Sequence, residues 1–162
     1  MSKLKETAIV ETPFAQAADL VENFLHKAVD ANGKLTLQLT AAVAGVQLEH
    51  PVVVTFDRIS GPNETIVFRL SWEAVGDGFF PVFRGTLTVA EDETYKTCRL
   101  ILEGSYHPPL GVAGAVFDAV LGSRIAQATG AELLERLRTF LNASYQEVER
   151  EKRERVLLRG QS

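Results

Sequence analysis

Cysteine is almost missing from this chain. Cys98 is the only one in 162 residues, so an internal disulfide is ruled out and no CxxC pair is present to bind a metal or carry electrons. Positive charge is not in excess either: 17 Lys and Arg stand against 21 Asp and Glu, a net charge of −4. A nucleic-acid binder needs the opposite balance to neutralise phosphates, which argues against such a partner. No apolar run is long and uncharged enough to cross a bilayer, and the opening MSKLKETAIVE holds no apolar export core. A cytoplasmic protein without a membrane span is expected. Catalytic signatures are also lacking. Ser105 and Ser123 sit in no GxSxG elbow, the glycines of GVAG (111–114) form no phosphate-cradling fingerprint, and His26 and His50 have no helical i,i+4 partner for zinc. No metal and no cofactor is expected.

What the chain does have is pattern. After an extended opening (5–11), Thr12-Pro13 reads as a helix start, with Thr12 as N-cap and Pro13 at the first helical position. Phe14, Ala17, Ala18, Val21, Leu25 and Ala28 follow at helical spacing, and Asn32-Gly33 ends the segment. Leu35, Leu37 and Leu39 then alternate with polar residues, as a half-buried strand requires. A reversal near Ala44-Gly45 leads to a second arm over 52–56, where Pro51 suggests a bulge or an edge. GPNET, VGDG and EDETYK are turns between three further strands. In those strands Ile66, Phe68, Leu70 and Trp72 share one face, as do Phe83, Gly85, Leu87 and Val89, and then Cys98, Leu100, Leu102, Gly104 and Tyr106. From about Val112 the period becomes helical and stays so to about residue 150. The expectation is one domain over 1–146 and a charged helical extension or tail over 147–162. Within that tail, Leu157 and Leu158 offer a contact for a partner or for a homodimer.

An antiparallel meander with one apolar face must cover it, and the last helix carries the only long apolar stripe. The sheet should curl round that helix, with Gly85 and Gly104 permitting the bend. If Leu87 faces Leu102, then Gly85 faces Gly104 and Phe83 faces Tyr106. That register predicts a notch free of side chains, rimmed by aromatics. Opposite it the last helix offers Ala113, Gly114, Ala115, Ala119, Gly122, Ala126, Ala128 and Gly130. Glycine inside a helix costs about 1 kcal/mol relative to alanine, so a run of small residues asks for a steric use. Two uses fit: a cavity for a small molecule, or close approach of helix to sheet with nothing left empty.

The order strand, helix, meander, long helix resembles the helix-grip fold of the START and birch-pollen-allergen superfamily, which includes polyketide cyclases and coenzyme Q-binding proteins. The resemblance spans about residues 5 to 145. It is carried most sharply by FPVFRGTLTV (80–89) and by LEGSYHPPLGVAGAVFDAVLGSRIAQAT (102–129), which is similar to the strand-to-last-helix junction of bacterial members. It implies an α+β fold, a curved antiparallel sheet of six to seven strands wrapped round the C-terminal helix, and a pocket between them for a lipid, isoprenoid or polyketide-like aromatic. One feature departs from the pattern: a single helix precedes GKLTLQLT, where many members carry a pair. The lining expected is Phe68, Trp72, Phe83, Gly85, Leu87, Leu102, Gly104, Tyr106, Val116, Phe117 and Val120. A binding protein is the first reading. A cyclase or aromatase, with His107 or Tyr106 moving a proton, is the second, and an assembly protein with a filled core the third. His107 also reads as a plain surface histidine, Asp118 and Arg124 as a solvent-facing pair, Arg84 as pointing outward, and Cys98 as a small core hydrophobe.

Overall fold

The computed structural model describes residues 2–27, 35–43, 46–61, 65–75, 82–107 and 119–160. Its elements are β1 (Ser2–Val10), α1 (Phe14–Lys27), β2 (Leu35–Val43), β3 (Val46–Ser60), β4 (Ile66–Ala74), β5 (Val82–Glu91), β6 (Cys98–His107) and α2 (Ala119–Arg159). The strands form one antiparallel sheet in the order β1-β6-β5-β4-β3-β2. Six strands is the lower of the two expected counts. The meander is as its turns imply, and β1 closes the far edge by pairing with β6 from Ser2 through Val10.

Strand alternation sets the buried face. Leu4 and Val10, Val52 and Val54, Phe68, Leu70 and Trp72, Phe83, Leu87 and Val89, and Cys98, Leu100, Leu102 and Tyr106 are all buried in one core. Against them α2 turns Ala126, Leu133, Leu134, Leu137 and Leu141, which share one face of the helix. Burying each such leucine contributes about 2 kcal/mol. Among the described residues the helix packs chiefly along the sheet's two edges, β1 and β2, and only lightly on β6. That is the grip: a sheet curled until both edges flank one helix.

Two local expectations are corrected. Pro13, not Thr12, takes the N-cap place, since its carbonyl accepts from the N–H groups of Gln16 and Ala17 at 3.1 and 3.0 Å. Thr12 is instead fully buried, and its hydroxyl donates to Asn142 Oδ1 of α2 at 3.2 Å. A contact 130 residues away has displaced the local cap. Pro51 makes no bulge, and it stands where β3 runs beyond its β4 neighbour and becomes an edge on that side. It pairs with Gln38 inside β3, and its carbonyl accepts from Val75 N–H at 3.0 Å, one step past the end of β4. The ladder to β4 ends there, which is where a missing N–H does least harm. The expected end of α1 at Asn32-Gly33 lies outside the described residues, as does the start of the last helix before Ala119.

Candidate functional site

The register across the middle of the sheet is the one that alternation predicts. Leu87 faces Leu102, Gly85 faces Gly104, and Phe83 faces Tyr106. On the other side of β5, Trp72 faces Phe83 and Leu70 faces Gly85. Trp72, Phe83 and Tyr106 therefore form one aromatic row on three neighbouring strands, and all three are buried. The indole and the Phe83 ring stack, with centroids 4.3 Å apart and planes at 21°.

The glycine pair beside this row is not the empty notch expected. A Cβ built on Gly85 would meet Phe83 Cζ at 2.7 Å, and one on Gly104 would meet it at 2.9 Å. The tip of the Phe83 ring thus sits over both glycines. Spacing shows the cause: Phe83 stands two residues before Gly85 on the same strand, so their side-chain directions agree and the ring folds over the bare backbone. The glycines also let the strands pinch together, since the same Cβ atoms would run into the carbonyl oxygens of Glu103 and Arg84. Phe68, Phe83, Leu87 and Leu102 keep no solvent-accessible surface. The small residues of α2 divide likewise. A Cβ on Gly130 would reach Leu4 Cδ2 at 3.1 Å and Leu102 Cδ2 at 3.3 Å, so there helix and sheet simply lie close.

Of the other expected lining, Val116 and Phe117 lie outside the described residues, as do Asp118 and the side chain of Val120. His107, the last residue of β6, is half-buried opposite Val82. It follows Tyr106 directly, so strand alternation sends the two side chains to opposite faces, and the sheet does not bring them together. Arg84 lies on the outer face, 3.5 Å from Glu73. His26 is exposed, edge-on to Phe56, and Arg124 is exposed. Burial, with some help from the Asp92 charge, pushes the Cys98 thiol up to about 12, which makes it a poor nucleophile.

Two outer clefts were not anticipated from the sequence. One, of about 590 Å³, lies between the start of α1 and the β5–β6 turn, lined by Phe14, Gln16, Asp92 and Tyr95 among others. Asp92 accepts from Thr97 Oγ1 at 3.0 Å and from Arg99 at 3.2 Å. The Glu93 backbone N–H, then Thr97 and Arg99, hold its carboxyl below the usual range. The other cleft, of about 610 Å³, is a mostly apolar groove between the helices lined by Phe24, Thr139, Phe140 and Ala143, with Glu132, Glu135 and Arg136 beside them. Phe24 and Phe140 meet there at 5.3 Å, with Lys27 Nζ 5.2 Å from the Phe140 centroid. Among the described residues no cluster of His, Cys, Asp or Glu is placed to hold a metal, and no helix is long and apolar enough to cross a membrane.

A curved antiparallel sheet gripping a long C-terminal helix defines an α+β helix-grip fold. Solved structures share it at low identity. A conserved protein of Geobacillus kaustophilus superposes with a TM-score of 0.58 at 14% identity, over 89% of this chain and 97% of that one. TTHA0849 from Thermus thermophilus gives 0.56 at 13%, over 88% and 99%. A START superfamily protein of Mycobacterium smegmatis matches over 90% and 98% at 15% identity, with a TM-score of 0.45. Such identities speak for the fold alone. No family model matches the chain, and no curated protein matches it.

Proposed function

We propose that this protein binds a hydrophobic small molecule on the concave face of its sheet, beside α2, and acts as a binding protein rather than a catalyst. The observation that carries the reading is the Phe83 ring resting on Gly85 and Gly104. A ring held over bare backbone has no interlocking side chain beneath it. Rotation about its χ1 would vacate an apolar slot floored by two glycines and walled by Leu70, Trp72, Leu87 and Leu102. The stacking given up is worth about 1 kcal/mol, and a ligand burying apolar area at about 25 cal/mol per Å² offsets that with its first few methylenes. Support also comes from α2, whose described part packs mainly along the edge strands β1 and β2 and only lightly on β6.

Trp72 is the only tryptophan and lies against Phe83, so its emission reports on the slot directly. Titration with a long-chain fatty acid and with a fused-ring aromatic should give a saturable change in Trp72 fluorescence for at least one of them. Phe83→Ala should tighten that binding at least threefold, roughly the gain expected when about 1 kcal/mol of stacking no longer has to be broken. Native mass spectrometry of the purified protein should show bound apolar mass that organic solvent extracts. Failure of both the wild type and Phe83→Ala to bind either probe, with nothing extracted, overturns the reading.

A further inference from the structure

We infer that the C-terminal arm of α2 pairs antiparallel with the same arm of a second copy, each arm seating Leu157 in the other copy's groove between Phe24 and Phe140. Beyond Leu141 no described residue is buried, yet the helix continues to Arg159. Leu157 and Leu158 leave 68% and 70% of their surface in water. The groove lies on the same helix as those leucines, but Phe140 is seventeen residues back, about 25 Å along a rigid rod. The arm therefore cannot fill its own groove, and a second copy can.

The match lies in one stripe. Phe140, Ala143, Glu147, Arg150, Glu154 and Leu157 are separated by three, four, three, four and three residues, so they run down one side of α2. Phe140 and Ala143 already line the groove. The spacing is the same read in either direction. With the twofold axis between Val148 and Glu149, Leu157 faces the partner's Phe140, Glu154 the partner's Ala143, and Arg150 the partner's Glu147. Symmetry then repeats each contact on the other side of the axis, so the interface is isologous and closed. Apolar groups meet at its two ends, and four charges of alternating sign meet at its centre. A parallel pairing would set Glu147 on Glu147 and Arg150 on Arg150, so charge selects the antiparallel one. In one copy Arg150 bonds Glu147 and also approaches Glu154 at 3.9 Å, with all three side chains more than half exposed and within reach of a partner.

Sedimentation velocity on the full chain tests this. A contact of this length buries less than about 1,200 Å² and should give a weak dimer whose fraction rises with concentration. Arg150→Glu sets acidic groups against each other on both sides of the axis, and Glu147→Arg does the same with basic groups. Either should weaken dimerisation at least about tenfold, as should Leu157→Asp, with helicity by circular dichroism unchanged. Mixing the two charge variants restores opposite charges across the axis while leaving the repulsion within each helix. The mixture should therefore form a heterodimer that neither variant forms alone. A wild type monomeric at millimolar concentration, a dimer indifferent to Arg150→Glu, or a mixture that stays monomeric each overturns the proposal. None of these readouts depends on whether the inner slot takes a ligand.

Discussion

Glycine has two different uses within this one core, and substitution separates them. At Gly104 an added Cβ would meet backbone on two sides, the Arg84 carbonyl oxygen and Gly85 Cα at 2.6 Å, and the Phe83 ring at 2.9 Å. Neighbouring strands cannot part without losing their ladder, so Gly104→Ala should cost about 3 kcal/mol. At Gly130 the nearest atoms are the tips of Leu4 and Leu102, at 3.1 and 3.3 Å. Those methyls can give by a few tenths of an ångström, and alanine gains about 1 kcal/mol of helix propensity. Gly130→Ala should therefore leave stability within about 1 kcal/mol of wild type. Urea midpoints of the two variants check both. Equal losses would mean that sheet and helix yield alike at these positions, contrary to the geometry. The pairing of Gly85 with Gly104 could be read from alternating leucines. The ring above them could not, because spacing gives the face a side chain leaves from and not the rotamer it adopts.

Among the elements, the β5–β6 turn gathers on one carboxylate, beside a Thr94–Thr97 hydroxyl contact at 3.1 Å. Asp92 joins Thr97 and Arg99, with the Glu93 N–H donating to it as well. Its folded pKa is lowered, so the unfolded chain takes up a proton at higher pH than the folded one. The stability it contributes is present above the ordinary carboxylate value near 4, and is lost as pH falls through its folded value. Asp92→Asn should remove part of that slope: urea midpoints measured from pH 6 down to pH 2 should fall less steeply than in wild type. A slope unchanged in the variant would show that other carboxylates carry the acid sensitivity. EDETYK marked this segment as a turn in the sequence, but not the Asp92–Arg99 pair that closes it. Elements whose burial writes a strict period, such as β4, β5, β6 and the body of α2, were legible throughout. Thr12 was not, since its partner Asn142 is remote in sequence and a Thr-Pro pair looks the same whether or not its hydroxyl is used locally. β3 was longer than its apolar arm because pairing with β2 extends it through Val46 and Glu49.

At the scale of the whole molecule, the body and the arm of α2 answer to different forces. The body is held by leucines against the sheet. The arm from Glu147 onward buries nothing, yet stays helical because the body has already met the cost of nucleation. Ion pairs of Glu147 and Glu154 with Arg150, and of Glu149 with Lys152, join neighbouring turns along the exposed helix and add little. Removing 147–162 should then cost little. At concentrations where the full chain is monomeric, the truncated protein should melt within about 3 °C of it, the shift a loss under 1 kcal/mol gives at this size. Far-UV circular dichroism should fall by the helix removed, the Trp72 response to apolar probes should persist, and dimerisation should vanish. A large drop in melting temperature would place the arm within the folding unit. Loss of the Trp72 response alone would tie the ligand slot to association, and the two readings of this molecule would become one.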